Sequence, residues 1–430
     1  MTGGNGNPAA ALAVVGTSHR RADLSLRERL HLGQREATEL AAKLARGGEA
    51  AVLSTCNRTE IYIVGEDAVT ARKKARAELS ALVGLDAADL APRLDELEGE
   101  EAALHLFRVS AGLESLLPGE GQILGQVRQA YESALEAGTT GPILNRLFAQ
   151  ALHAGKRVRA ETGLGTLPAS IPAAAVEVAE QTLGDLAGRR VLVLGAGKMA
   201  ALAVSNFVAR GAEKVFVANH RFERAEELAR RLGGEAVAFE RLREELVRAD
   251  VVLAATRCPR LVLFAGDVAP GLGRRAGRPI LFLDIAVPRD VDPAVGNLEG
   301  CSLYDLDALG EALGAPIAER RAELTASEAI VAEEAAQFSG WLRSLQALPV
   351  IKALRDRAEA IRREELARNR GGLGALSQGE REAVETLTAQ IVNKLLHEPT
   401  VRMKAAAAEE RGRPYAGALR ELFALDEERA

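Results

Sequence analysis

A chain of 430 residues is long enough for two to four domains at about 100–200 residues each. Its 47% hydrophobic residues can fill cores, and its scarcity of aromatics (3%) beside abundant Ala, Leu, Arg and Glu favours helices. A net charge of -5 excludes a generally basic protein, although a local basic face can still meet nucleic acid.

Residues 1–10 read as a disordered tail without the basic-then-apolar pattern of a signal peptide. No apolar run approaches the roughly 18 residues of a membrane span, so the expected location is cytoplasmic and no membrane partner is expected. Residues 11–163 interleave strands (Leu12–Val15, Ala51–Leu53, Glu60–Val64) with helical stretches, which predicts an α+β domain. Residues 166–313 alternate apolar strands at Val191–Leu194, Val215–Ala218, Asp250–Ala255 and Ile280–Ile285 with helices. That is the rhythm of a doubly wound, Rossmann-type parallel sheet. Residues 316–430 carry apolar residues at helical spacing with breaks expected at Pro349, Gly371-Gly372 and Pro399. They predict an all-helical domain suited to dimerisation. The fold class is therefore α/β multidomain.

Val191 to Ala200 is a strand, then Gly-x-Gly-x-x-Ala, then a helix. Gly195 permits the tight turn, Gly197 a close backbone approach to pyrophosphate, and Ala200 close helix–strand packing. Ala196, Lys198 and Met199 complete the loop at the helix N-terminus, where free N–H groups meet phosphate. The second strand ends in Asn219-His220-Arg221, with no carboxylate before Glu223 to hold a ribose hydroxyl. Asn219 and Arg221 therefore favour a 2′-phosphate, and NADPH over NADH.

Three cysteines stand far apart with no Cys-x-x-Cys pair, and six histidines form no His-Glu-x-x-His pattern, so neither a disulfide framework nor a metal site is expected. Cys56 lies among polar neighbours, Thr55, Asn57 and Arg58, and a nearby cation favours its thiolate. A thiol suits a reductase that forms a thioester and reduces it. Cys258 and Cys301 read as packing residues. The basic run Lys156-Arg157-Val158-Arg159 could meet nucleic-acid phosphate, but a solvated or interdomain helix face is the stronger reading.

Several segments, in order along nearly the whole chain, resemble the glutamyl-tRNA reductase family, the first enzyme of the C5 route to tetrapyrroles. They are Gly16–His19, Leu53–Tyr62 with its Thr-Cys-Asn-Arg, Gly119–Val127, Gly155–Arg159, Asp284–Asp290 and Lys394–Pro399. The resemblance implies a catalytic N-terminal domain, an NADP-binding Rossmann domain, and a helical dimerisation domain entered by a long connecting helix. It implies reduction of glutamyl-tRNA(Glu) to glutamate-1-semialdehyde by NADPH, with Cys56 as nucleophile and His105 important for activity. Thr55, Asn57, Arg58, Ser115, Glu120, Gly121, Gln122 and Gln126 match its substrate contacts. The implied partners are tRNA, a second copy of the chain and glutamate-1-semialdehyde aminotransferase. This sequence departs from the family at Gly121, usually Asp or Pro, and at His220, usually Arg. Two other readings compete. One is a small-molecule NADP-dependent dehydrogenase of the shikimate dehydrogenase type, for which the middle region alone would suffice. The other is a non-catalytic paralogue that binds tRNA or a partner enzyme, against which the intact cysteine and glycine motifs argue.

Overall fold

Strand β1 (Leu12–Ser18) is buried along its whole length, so helices must cover both faces of the sheet it sits in. The computed structural model describes residues 12–165, 170–212, 214–218, 222–256, 258–312, 321–345, 347–374, 376–409 and 412–425. The tail at 1–10, the domain limits at 166, 313 and 316, and Asn219, His220 and Arg221 lie outside the described residues.

With β2 (Glu49–Ser54), β3 (Arg58–Val64) and β4 (Asp95–Glu98), β1 forms an antiparallel sheet of order β2-β3-β1-β4. Side chains alternate between faces. Leu12, Val14, Leu53 and Tyr62 pack against helices Gly99–Ser110 and Pro142–Glu161. Ala13, Val15, Val52, Ile61 and Ile63 pack against helices Gln34–Leu44 and Ala68–Val83. Helix Pro142–Glu161 starts where it does because the Glu49 carboxylate accepts from the N–H groups of Ile143 and Leu144. Strand β4 was not expected, since Asp-Glu-Leu-Glu has little β-propensity. Arg21, Arg72 and Arg76 hold its carboxylates at the sheet edge.

Strands β5 (Arg190–Leu194), β6 (Lys214–Ala218), β7 (Glu235–Val237), β8 (Val251–Ala254), β9 (Ile280–Asp284) and β10 (Cys301–Tyr304) form a six-stranded parallel sheet. Its order is β10-β9-β8-β5-β6-β7, the doubly wound arrangement whose switch point lies between β5 and β8. The short edge strands β7 and β10 carry too few residues to show a period.

The helix Arg321–Leu345 occupies the expected connecting segment. It lies against the first domain, where Val331, Ala335, Phe338 and Leu342 join that domain's core and Phe338 meets Phe107 edge to face. Helices Leu348–Arg368, Gln378–Ala408 and Gly412–Leu422 follow. Pro399 does not break its helix, contrary to expectation. It removes the N–H that would serve the Leu395 carbonyl, on a turn where Leu395 is exposed and water can replace it. Among the described residues, no helix is long and apolar enough to cross a membrane.

Candidate active site

Cys56 sits in the turn between β2 and β3. Thr55 closes that turn: its N–H donates to the Arg58 carbonyl at 2.8 Å, and its hydroxyl accepts from the Asn57 and Arg58 N–H groups, both at 3.2 Å. The turn is fastened from outside by buried Arg27, whose Nη1 donates to the Cys56 carbonyl at 3.1 Å and to Asn57 Oδ1 at 3.4 Å. The His19 N–H donates to the Asn57 carbonyl at 3.0 Å.

The thiol is not the pre-formed thiolate that its cationic neighbours suggested. Burial, and then the charge of Glu120, push it up to about 12, against the opposing pull of Arg27 and Arg58. The reason lies in where the arginine charges are spent. Arg27 pairs with Asp307, and Arg58 donates to Glu60 Oε1 at 2.7 Å and to the Glu114 carbonyl.

Arg58, Glu60 and Tyr62 point to one face of β3 by strand periodicity and form a buried network. The Tyr62 hydroxyl donates to Glu60 Oε2 at 2.6 Å, and His105 Nε2 lies 2.9 Å from Glu60 Oε1. Burial alone would raise the Glu60 carboxyl, but Arg58 and His105 hold it at about 2. His105 is therefore engaged by Glu60. Arg58 is likewise bound into the protein rather than free for a substrate carboxylate. Glu60, at the centre of this network, carries no assignment in the sequence reading. Its alternation with Arg58 and Tyr62 was the available signal.

The segment from Gly112 to Gly121 folds back beside this network. Gly112 takes φ 77, and an added Cβ would approach the Glu120 backbone at 3.2 Å. The Gly119 N–H donates to the Gly112 carbonyl at 3.1 Å. Ser115 and Glu120 are buried, and Gln122 and Gln126 are half-buried, one turn apart at the start of helix Gln122–Glu136. Arg159 Nη1 donates to the Gly121 carbonyl at 2.8 Å, and its guanidinium lies where a Cβ of residue 121 would point. Burial pushes the Glu120 carboxyl up to about 7, against Arg58. The basic run is used internally: Arg157 bonds Glu161, Glu333 and Glu334, Arg159 bonds Gly121, and Lys156 alone of its cations is exposed without such a partner.

At the second sheet's switch point, Gly195 takes φ 105, and a Cβ there would lie 2.6 Å from the Ala255 carbonyl oxygen. Only glycine suits that turn. Gly197, by contrast, has open space where a Cβ would be, at the N-terminus of the 12-residue helix Lys198–Ala209. Ala200 is fully buried against the sheet, while Lys198 is exposed and Ala196 and Met199 are half-buried. This turn fits a dinucleotide pyrophosphate.

The two domains meet at the cysteine turn. Cys56 packs against the dinucleotide domain's core, and Leu117 of the Gly112–Gly121 loop belongs to it. Arg289 holds Glu28, and Arg27 holds Asp307, across the boundary. In the Asp284–Asp290 segment, Asp284 accepts from the Ala286, Asp290 and Val291 N–H groups. Asp290 in turn accepts from Thr256.

Family models match in series: the glutamyl-tRNA reductase N-terminal domain over 15–162, shikimate/quinate 5-dehydrogenase over 177–312, and the glutamyl-tRNA reductase dimerisation domain over 326–425. The glutamyl-tRNA reductase of Moorella thermoacetica is 42% identical, covering 96% of this chain and 95% of its own. That of Myxococcus xanthus is 43% identical, covering 97% and 94%. The chain belongs to the glutamyl-tRNA reductase family. A solved glutamyl-tRNA reductase from Methanopyrus kandleri is 34% identical over 94% of this chain and 99% of its own, with a TM-score of 0.49. Within the glutamyl-tRNA reductase family the shikimate-type match is confined to the middle region, so a stand-alone dehydrogenase of that type is not favoured. The middle domain is of the nicotinamide-dependent dehydrogenase kind.

Proposed function

We propose that this reductase converts glutamyl-tRNA(Glu) to glutamate-1-semialdehyde through a thioester on Cys56, with NADPH as reductant, for tetrapyrrole synthesis. The observation that carries the reading is the seating of the Cys56 turn directly against the dinucleotide domain's core. The residues that would hold a nicotinamide cofactor belong to that same domain.

The chain's own residues divide the work. Thr55 and Arg27 fix the backbone of the turn that carries the sulfur. The sulfur attacks the ester carbonyl carbon, the carbon–oxygen bond to the tRNA ribose breaks, and the tRNA leaves with the proton. Gly195, Ala196, Gly197, Lys198, Met199 and Ala200 would hold the cofactor's pyrophosphate. When bound, the cofactor supplies the hydride that takes the acyl group to the aldehyde. The carbon–sulfur bond then breaks, and the Cys56 thiolate takes a new proton from solvent. Ser115, Gln122 and Gln126 line the substrate side, and Asn57 is held in place by Arg27. The buried Arg58–Glu60–His105 network keeps the floor of the site charged and rigid. Asn219 and Arg221, with exposed Arg224 on the following helix, favour the 2′-phosphate of NADPH. A second copy of the chain is the partner of the helical domain, and an aminotransferase that consumes glutamate-1-semialdehyde suits so reactive a product.

The test is direct. Incubated with glutamyl-tRNA and NADPH, the protein is expected to yield semialdehyde, and the Cys56→Ser variant none. NADH is expected to serve much less well. Full activity of Cys56→Ser overturns the thioester, and reduction of free glutamate overturns the tRNA ester as substrate.

A further inference from the structure

The structure assigns a positioning role in the acylation step to Asp307, a residue of the dinucleotide domain: Asp307 holds Arg27, and Arg27 holds the Cys56 turn. The assignment rests on the Cys56 thioester reading above.

Acylation uses no cofactor, so by chemistry alone the first domain would suffice for it. Arg27 ties the step to the other domain. It lies on helix Leu24–Leu30 of the first domain, and its side chain is 2% exposed. Its Nη1 donates to the Cys56 carbonyl at 3.1 Å and to Asn57 Oδ1 at 3.4 Å, and its Nη2 donates to Asp307 Oδ1. Its Nε is buried and makes no hydrogen bond among the described residues. A guanidinium out of water needs a counter-charge. Among the described residues, Asp307 is the one carboxylate within 4.0 Å of it. The guanidinium is a rigid plane, so anchoring Nη2 sets where Nη1 points. Asp307 thereby fixes the donor that fastens the carbonyl of the nucleophile's own residue.

Asp307 is itself firmly held. It lies on helix Leu306–Ala312, after β10. Leu306 and Leu309 root that helix in the dinucleotide domain's core, and the Asp305 carboxylate accepts from the Ala308 N–H at 3.0 Å. Asp307 and Gly310, three residues apart, share one face of the helix. Gly310 packs so closely on Leu116, in the Gly112–Gly121 loop, that a Cβ there would lie 2.7 Å from Leu116 Cγ. One helix face thus meets the loop beside the substrate and, through Arg27, the turn that carries the sulfur. Displacing a reacting atom by about 1 Å can cost about 100-fold in rate. Without Asp307, Arg27 loses both counter-charge and anchor, and the Cys56 turn loses a fixed donor.

Single-turnover release of tRNA from glutamyl-tRNA, without cofactor, tests this. Asp307→Ala should lower the maximal rate about tenfold or more and leave the half-saturating concentration of glutamyl-tRNA within about twofold. Asp307→Asn, which keeps an acceptor oxygen without the charge, should fall between. Arg27→Lys, whose single ammonium cannot hold Cys56 and Asp307 together, should be as slow as Asp307→Ala, and the double variant no slower than either. Amide hydrogen exchange over residues 55–58 should quicken in Asp307→Ala but not in Arg289→Ala, which keeps the Arg27–Asp307 pair. A wild-type maximal rate in Asp307→Ala overturns the proposal. So does a loss confined to the half-saturating concentration, which makes Asp307 a substrate contact. Losses that multiply in the double variant make the two residues independent and overturn it as well. If Arg27→Lys does not fold, unchanged exchange over 55–58 in Asp307→Ala overturns it equally. Cys56→Ser run in parallel separates the readings. Release of tRNA by that variant at the wild-type rate sinks the thioester itself. An inactive Cys56→Ser beside a fully active Asp307→Ala leaves the thioester standing and sinks only the role of Asp307.

Discussion

Arg289 grips Glu28 at three points: its backbone N–H and Nε donate to Oε1 at 2.7 and 2.8 Å, and its Nη2 donates to Oε2 at 2.9 Å. Glu28 neighbours Arg27, which holds the Cys56 carbonyl, and Arg289 follows β9 on the dinucleotide sheet. One carboxylate thus ties the cysteine turn to the domain that would carry the reductant. Removing it should loosen the seating of the two domains without touching the thiol. Hydrogen bonds to charged groups contribute about 1.5–3 kcal/mol. The Arg289→Ala variant should therefore reduce semialdehyde formation about tenfold while cofactor-free release of tRNA stays unchanged. Equal loss in both assays would mean the contact serves the cysteine turn alone.

The Glu60 network should be visible as pH-dependent stability. The folded carboxyl is held at about 2 and the ordinary value is 4.5, a difference equivalent to about 3 kcal/mol. Because the folded value is depressed, this stabilisation is present above about pH 4.5 and is lost as pH falls through about 2. Glu60→Gln removes it and leaves Arg58 buried without its partner, which costs about 3–5 kcal/mol. In urea unfolding, the gap between wild type and Glu60→Gln should be widest at neutral pH and shrink on acidification. A gap independent of pH would show that Glu60 acts by packing alone.

What the sequence made legible follows from what a local pattern can carry. Gly195, Gly197 and Ala200 lie in one turn between a strand and a helix, so their roles follow from spacing, and the turn has that form. Thr55, Cys56, Asn57 and Arg58 stand out as a polar island between apolar strands. Their electrostatics do not. Burial sets the Cys56 proton affinity, and the cations beside it are neutralised by Glu60 and Asp307, residues whose proximity only the fold creates. Arg27 reaches Cys56 across 29 positions, and no periodicity announces that. His105 lies on a helix, as its surroundings suggest, but its partner across 45 positions is not readable. Strand β4 was missed because edge pairing and arginine neutralisation override a composition with little β-propensity.

The two glycines of the dinucleotide turn should fail in different ways. Gly195→Ala forces a side chain into positive φ and against the Ala255 carbonyl, so the turn must distort. It should lower the melting temperature and abolish binding of the reduced cofactor, followed by fluorescence titration. Gly197→Ala meets no protein atom, so the fold should keep its melting temperature. Only the approach of the pyrophosphate is obstructed, and binding should weaken about tenfold or more. If Gly197→Ala binds as tightly as wild type, the phosphates do not rest on that turn.

The helical domain presents a stripe that its own core does not cover. On helix Gln378–Ala408, Leu387, Ile391 and Leu395 stand four residues apart and are 57%, 48% and 68% exposed. Spacing of this kind lays them along one face. The domain's own cluster uses Met403 and Ala407 instead, further along the helix. A row of large aliphatic side chains left in water fits the match of this region to a dimerisation domain. In a two-fold interface each residue counts twice. Burial of one such side chain contributes about 1.5–3 kcal/mol, so Ile391→Glu removes roughly 3–6 kcal/mol from a dimer before any charge repulsion is counted. That corresponds to about a hundredfold or greater weakening of association. Light scattering across a dilution series should show wild type as a dimer where Ile391→Glu is a monomer, with unchanged far-ultraviolet circular dichroism. A variant that stays dimeric at the same dilution would place the interface on another face of the domain.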